Sequence, residues 1–292
     1  MPSQVAPDPV LEVIRSLAAS RSVRLSRRFR HGAGGTALVI LDGEQVVLKA
    51  WPTGSPTAGN LDVALGHMTT MRQRGVPIPD VVERGRLAGS DYLVYEFLPG
   101  RWPRTVTSRV MGELVAVVDA ESGAGGTAVQ DDWHEALNAM LTKGGELFDI
   151  DPAVVAAHPV GAELLGEART RLDRCDPADF PGTDVMHADF APENALVHKG
   201  HLTGIVDWER CRAGDAGFDL VGVLFDVEIG GKAAASVRRE LTRALRERIA
   251  PQVLALYTAV YAVRYASWAI GESMEDEVLA LGRRLLDVHR AE

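Results

Sequence analysis

Cysteine is scarce in this chain: Cys175 and Cys211 are its only two, and no C-x-x-C spacing occurs. That excludes a secreted disulfide framework and argues against a zinc site, so the cytoplasm is the expected compartment. Long apolar runs are missing as well. No stretch approaches the roughly 20 residues needed to span a bilayer. The N-terminus "MPSQVAPDPVLEVIRSLAAS" has no basic segment leading into an apolar core, so no secretory signal is expected. It predicts a helix instead, with Asp8 as N-cap and Pro9 at the first helical position. Basic charge is in deficit, with 31 Lys+Arg against 40 Asp+Glu and a net charge of −9, which makes nucleic acid an unsuitable partner because phosphate binding requires a basic surface. Internal repeats and low-complexity tracts are absent too.

What remains is an ordinary globular composition, 46% hydrophobic and 24% charged, in 292 residues, enough for one large domain or two lobes. The acidity is unevenly spread. Residues 1–97 carry 11 Lys+Arg against 9 Asp+Glu, and residues 98–292 carry 20 against 31, so the first part is +2 and the remainder −11. Either a solvated acidic surface or a funnel for a cationic small molecule would produce that split.

The order of elements separates the same two parts. After the first helix, "TALVILDGEQVVLKA" is two β-rich runs about Asp42-Gly43, a strong hairpin signal. Residues 61–74 space Leu61, Leu65, Met68 and Met71 at helical intervals before Gly75 and "VPIP". "VVERGRLAGSDYLVYEF" predicts two further strands about a turn containing Gly89, and "LPGR" at 98–101 a linker. Beyond it, stretches such as 131–147, 161–175, 234–249 and 252–270 have helical periodicity. Set among them are two short β segments, 195–197 and 202–208, joined by "HKGH".

Several motifs carry chemistry. In "HGAGGT", Gly32, Gly34 and Gly35 would let backbone N–H groups close over phosphates, or would simply make a flexible turn. Lys49 ends the "VVLKA" strand on the face of Val47, expected to be the covered side of the sheet. An ammonium there needs an anion, a phosphate or the carboxylate of Asp62, unless it snorkels to water. The densest signal is "VMHADFAPENALV", residues 185–197. Asp189 can accept a proton from an attacking hydroxyl, and Asn194 offers a carboxamide oxygen to a hard cation such as Mg²⁺. Asp207, at the end of "GIVDW", is placed to be the second ligand, and His187 to act as a hydrogen-bonding scaffold. Each residue alone would pass for a capped turn or a solvated acid.

Taken together, the glycine turn, the strand lysine, the linker, H-x-D-x-x-x-x-N and the later Asp resemble the protein-kinase-like fold, and specifically the aminoglycoside phosphotransferase family. "HADFAPENALV…LTGIVDWERCRAGDAGFDLVGV" carries the resemblance, with Asp-Trp where protein kinases have Asp-Phe-Gly. It implies an α+β, bilobal fold: a small antiparallel β-sheet N-lobe with one helix at 1–97 that binds nucleotide, and a larger, mainly helical catalytic and substrate-binding C-lobe at 98–292. It further implies that Lys49 and the glycine turn hold the phosphates of ATP or GTP, and that Tyr95, Glu96, Phe97 and Leu98 form the hinge along which the base pairs. Asp189 would be the catalytic base, and Asn194 and Asp207 would hold Mg²⁺. Asp219 in "GFDL" would accept backbone hydrogen bonds from the catalytic loop. Ala188 stands where the family carries glycine, and no glutamate occupies the early part of the 61–74 helix, where the shorter Asp62 is the nearest candidate and the partner of Lys49 stays open.

The expected activity is phosphorylation of a hydroxyl on a cationic antibiotic, an aminoglycoside or a basic cyclic peptide such as capreomycin or viomycin, conferring resistance. Asp131, Asp132, Glu135, Glu146, Asp149, Glu272, Glu275 and Asp276 are the acidic residues available to an acceptor pocket. The competing readings are a kinase for a choline-, homoserine- or sugar-like alcohol, and a pseudokinase that binds nucleotide without turnover.

Overall fold

The computed structural model describes residues 8–29, 35–125, 133–145, 150–180, 182–229 and 231–288. Its contacts divide the chain into two compact units, one formed by residues 1–62 and 78–99, the other by 63–77 and 100–292.

The first unit opens with helix α1 (Pro9–Leu17), whose N-cap Asp8 accepts the Val10 N–H at 3.1 Å, as the Asp-Pro pair predicts. Five antiparallel strands follow: β1 (Val23–Phe29), β2 (Gly35–Leu41), β3 (Glu44–Pro52), β4 (Val81–Leu87) and β5 (Ser90–Glu96), in the order β1-β2-β3-β5-β4. Two tight turns set the register, Asp42-Gly43 between β2 and β3 and Ala88-Gly89 between β4 and β5. All four residues have positive φ, the geometry that matches the twist of a two-residue hairpin. Val10, Val13 and Leu17 of α1 pack on Ala37, Val39, Leu41, Val46, Leu48 and Ala50, closing the core of this unit.

That packing distinguishes the two faces of β3. The face of β3 covered by α1 is that of Val46, Leu48 and Ala50; Lys49 lies with Val47 on the opposite face, because side chains alternate along a strand. The side chain is nonetheless buried, with its ammonium 5.9 Å from the centre of the Trp51 ring.

Helix α2 (Pro56–Gln73) starts five residues earlier than its apolar spacing indicates, because Ser55 Oγ accepts the Ala58 N–H at 3.3 Å and Pro56 suits a first helical turn. Its inward residues are Leu61, Ala64, Met68 and Met71.

In the second unit, Arg74 donates to the carbonyls of Ala120, Ser122 and Gly123 at 2.6–3.0 Å, satisfying the end of helix α3 (Ser108–Glu121). The Pro77 carbonyl accepts the Ile205 N–H at 2.7 Å. These bonds explain why 63–77 belongs with the later residues, although the sequence boundary at 97/98 assigned it to the earlier part. Helices α4 (Trp133–Thr142), α5 (Pro152–Ala157) and α6 (Pro159–Leu172) come next. The site is carried by β6 (Asp184–Met186), the hairpin of β7 (Ala195–His198) and β8 (His201–Ile205), and β9 (Arg212–Gly214), which pairs with β6. Helices α7 (Ala216–Ile229), α8 (Ala235–Arg248), α9 (Pro251–Ala269) and α10 (Glu275–Val288) complete the unit. The fold is therefore the expected one, an antiparallel sheet near the N-terminus and a helical remainder. Among the described residues no helix is long and apolar enough to cross a membrane.

Gly35 provides a test of the α1–β2 packing. A Cβ there would lie 2.6 Å from Val10 Cβ and 2.9 Å from the Val10 nitrogen. Gly35→Ala should lower unfolding stability by about 1–3 kcal/mol, read as a shift in the urea midpoint; an unchanged midpoint would contradict so close an approach.

Candidate active site

The "HADFAPEN" segment leaves β6 and returns at β7, and four sets of bonds give it shape. From below, the fully buried Asp219 near the start of α7 accepts the backbone N–H of His187 and, at 3.0 Å, that of Ala188. His187, also fully buried, joins its Nε2 to the Val206 carbonyl at 2.8 Å and accepts the Asp189 N–H at Nδ1, 3.3 Å away. The Trp208 ring lies across its imidazole, with ring centres 4.6 Å apart and planes inclined by 61°. Burial pushes the His187 pKa down, which suits a neutral ring donating from Nε2 and accepting at Nδ1. Asn194, in a 3-10 turn at 192–194, donates from Nδ2 to the Asp189 carbonyl at 2.8 Å, and its own carbonyl accepts the Val206 N–H at 2.9 Å. Finally, Arg264 of α9 reaches Asp189 Oδ1 at 2.8 Å and the Ala188 carbonyl at 3.3 Å.

Ala188 sits at φ +67°, the left-handed region in which a Cβ is disfavoured. Glycine would meet no strain there, so the loop geometry accounts for the residue the family carries. Asp207 also adopts a left-handed conformation, φ +68°, two residues beyond the end of β8 rather than at a strand end as its apolar run indicates. Aspartate tolerates that conformation better than a bulkier residue.

Electrostatics favour an ionised Asp189. Burial raises its pKa, but the charges of Arg264 and Arg210 and the hydrogen bond from Arg264 outweigh burial and hold it below the usual carboxylate value. Around it lie acids that behave otherwise. Burial raises Asp219 to about 7, and it raises Glu121 well above the usual carboxylate value, together with the charges of Asp219 and Asp184. Both Glu121 carboxylate oxygens are buried without a hydrogen-bond partner, which fits a protonated side chain. Asp226 of α7, whose Oδ1 accepts the Tyr265 hydroxyl at 2.6 Å, is pushed up to about 7 by burial.

The donor set suits Mg²⁺. Asn194 spends its amide nitrogen on the Asp189 carbonyl, which orients its carboxamide oxygen, and Asp207 supplies a carboxylate just past Val206, the residue that binds both Asn194 and His187. Among the described residues no group of three or more His, Cys, Asp or Glu could hold a metal. Mg²⁺ commonly takes one or two protein ligands and completes its shell with phosphates and water.

In the first unit residues 95–98, expected from sequence to form the hinge, occupy the end of β5 and the chain just after it. Glu96 and Asp80 exchange a backbone bond and a side-chain bond, each 2.9 Å. Tyr95 is buried and Phe97 exposed. Gly35 begins β2, and its missing side chain admits α1; Gly32 and Gly34 lie outside the described residues. Asp62 is ion-paired to Arg84, and its side chain is 83% exposed. Leu61 is the residue of that turn that faces inward, so Asp62, about 100° further round the helix, projects outward. The carboxylate offered to Lys49 by sequence is thus committed elsewhere. Of the acidic residues available to an acceptor, Asp131, Asp132, Glu146 and Asp149 lie outside the described residues, while Glu275 accepts the Gly271 N–H at 2.6 Å and faces His158 at 3.4 Å.

Sequence reasoning missed Arg264 and the Asp226–Tyr265 pair. One signal for Arg264 was available: it is the single charged residue in the 19 of α9.

The profile of the phosphotransferase enzyme family matches residues 26–257. The chain belongs to that family. This phosphotransferase is 28% identical over 221 residues to an aminoglycoside 3'-phosphotransferase of Streptomyces fradiae, covering 69% of this chain and 78% of that one. It is also 28% identical over 163 residues to a homoserine kinase of a Chelativorans species, covering 51% and 47%. The chain thus spans about half the length of the homoserine kinases it matches. Among solved structures, a thermostable mutant of aminoglycoside phosphotransferase APH(4)-Ia, in a ternary complex with ADP and hygromycin B, superposes with a TM-score of 0.66 at 15% identity, covering 96% of this chain and 97% of that one. An aminoglycoside-3'-phosphotransferase of type VIII gives 0.60 at 21%, covering 88% and 98%.

The raised acids make a pH prediction. The folded-state pKa of Asp226 lies above its unfolded value, so the native state binds the extra proton and stability falls as pH rises between about 4 and 7. Asp226→Asn removes that loss and should gain on the wild type between pH 5 and 8 by about 1–4 kcal/mol. Parallel unfolding curves across that range would show that Asp226 does not carry it.

Proposed function

We propose that this phosphotransferase moves the γ-phosphoryl group of ATP, with Mg²⁺, onto a hydroxyl of a cationic small molecule, with an aminoglycoside as the leading acceptor class. The observation that carries the reading is the loop geometry: Asp189, ionised and partly open to solvent, stands on a backbone immobilised by Asp219, with Asn194 bonded to Val206, the residue just before Asp207. In this reading the acceptor oxygen bonds to the γ-phosphorus as the bond from that phosphorus to the bridging oxygen breaks. ADP leaves, and the hydroxyl proton passes to Asp189. Asn194 and Asp207 would hold Mg²⁺, which supplies charge compensation on the phosphate oxygens. Lys49 and the residues 95–98 would hold the phosphates and base of the nucleotide. ADP and AMP-PNP in the structural neighbours support the nucleotide.

The −11 charge of residues 98–292 supports a cationic acceptor, and so does the aminoglycoside 3'-phosphotransferase relative, whose match covers more of both chains than the homoserine kinase matches do. The second reading, an alcohol of the homoserine kind, rests on several homoserine kinases at similar identity. Modification of an antibiotic, and the resistance it would confer, belong to the first reading.

Incubation with ATP, Mg²⁺ and a mixture of neomycin, hygromycin B, capreomycin, viomycin, choline and L-homoserine, followed by mass spectrometry, tests both. A basic antibiotic that gains one phosphate is the expected product; phosphorylated homoserine or choline alone would move the assignment to the second reading. Asp189→Ala should cut turnover by at least about 100-fold while nucleotide affinity stays within about twofold of the wild type. A retained rate removes the assigned base. For a polycationic acceptor, kcat/KM should fall as salt is raised, whereas salt independence would favour a neutral alcohol.

A further inference from the structure

Three tethers fix the backbone around Asp189, while among the described residues it is Arg264 that bonds to its carboxylate. Asp219 holds the N–H groups of residues 187 and 188, Asn194 holds the carbonyl of 189, and Nδ1 of His187 accepts the N–H of 189. Each governs where the main chain lies, and none sets the direction in which the carboxylate points. The side chain of Asp189 is 40% exposed, and a side chain open to solvent can choose among staggered rotamers unless a partner holds it. Arg264 closes that freedom. One guanidinium spans Ala188 O at 3.3 Å and Asp189 Oδ1 at 2.8 Å, tying the side chain to the backbone that carries it.

Arg264 is itself well held. Its side chain is only 12% exposed, its guanidinium carbon is 5.6 Å from the centre of the Tyr261 ring, and its backbone lies within the 19-residue α9, where Val263 and Ala266 on either side are fully buried. A planar fork on a rigid helix can meet a carbonyl and a carboxylate together at fixed geometry, which the single point charge of lysine cannot.

We infer that Arg264 is a positioning residue for the phosphoryl transfer, holding the Asp189 carboxylate by Oδ1 so that Oδ2 is left for the acceptor hydroxyl. This rests on the reading of Asp189 as the base. A base must lie within hydrogen-bond reach of the proton it takes, and a misplacement of about 1 Å can cost about 100-fold in rate. Arg264 touches neither nucleotide nor acceptor in this account. Its effect falls on kcat and not on the KM for ATP.

The test uses Arg264→Ala and Arg264→Lys in the full chain, with the acceptor found by the mixture described above and L-homoserine and hygromycin B as the fixed probes. Expected for Arg264→Ala is a fall in kcat of about 30-fold or more, a KM for ATP within about twofold of the wild type, and partial recovery of kcat on adding guanidinium at tens of millimolar. Arg264→Lys should recover less than half of the lost rate. A wild-type kcat in Arg264→Ala overturns the inference. So does a loss of rate shared by kcat and ATP affinity that guanidinium leaves unchanged, since that describes a merely structural arginine. Crystal structures of the wild type and Arg264→Ala answer without turnover. An Asp189 carboxylate that keeps its direction without Arg264 overturns the inference whatever the acceptor. A rotated carboxylate in a protein that phosphorylates nothing sustains the positioning role while removing the kinase reading.

Discussion

The carboxylate of Asp219 takes the backbone N–H groups of His187 and Ala188 at a depth where neither has water as an alternative partner. The whole 187–194 loop hangs on that exchange. An unpaired buried N–H costs about 1–3 kcal/mol, so the two amides and the carboxylate hold each other in place: separating any one leaves the others unsatisfied. His187 extends the same logic upward, because a fully buried imidazole must spend both nitrogens, and it spends them on Val206 and Asp189. Asp207, one residue beyond Val206, and Asp189 therefore share a single buried ring as spacer.

Burying that much acid in one place requires relief. Glu121 lies near Asp219 and Asp184, and its shift toward the neutral form removes one negative charge from the group. Asp184 spends its oxygens on the N–H groups of Gly123 and Ala216, at 2.8 and 3.1 Å, so it works as a structural bracket between the end of α3 and the start of α7. Asp215 follows the same pattern with Gly217 and Tyr257. At the loop surface the negative charge of Asp189 is met by Arg264, and that of Glu193 by Lys232. The acid cluster below and the ion pair above are thus two answers to one constraint: carboxylates are needed as acceptors in a place where their charge is costly.

Much of this was legible from residue order alone. Asp8-Pro9, Asp42-Gly43 and the Gly89 turn announce themselves through backbone chemistry that needs no tertiary context. H-x-D-x-x-x-x-N is legible because its members are close in sequence and each does a different job. What failed to show depends on which face is covered and by what. Lys49 was assigned by alternation to the face of Val47 and is buried there, but alternation could not say that α1 would lie on the opposite face. Asp62 was offered to Lys49 by proximity, and the helix phase set by Leu61 turned it outward to Arg84. α7 is buried on nearly every side, so it has no amphipathic period to detect. Arg264 stands 75 residues from its partner, and only the docking of α9 brings the two together.

Ala188 illustrates what such tethering means for the segment in isolation. A methyl-bearing residue at φ +67° is held against its own conformational preference, and the loop keeps its shape only while the surrounding bonds outweigh that preference. Cut free as a short peptide, residues 185–197 would abandon this path, so the order of the loop is a property borrowed from α7 and α9 and disappears as soon as either undocks.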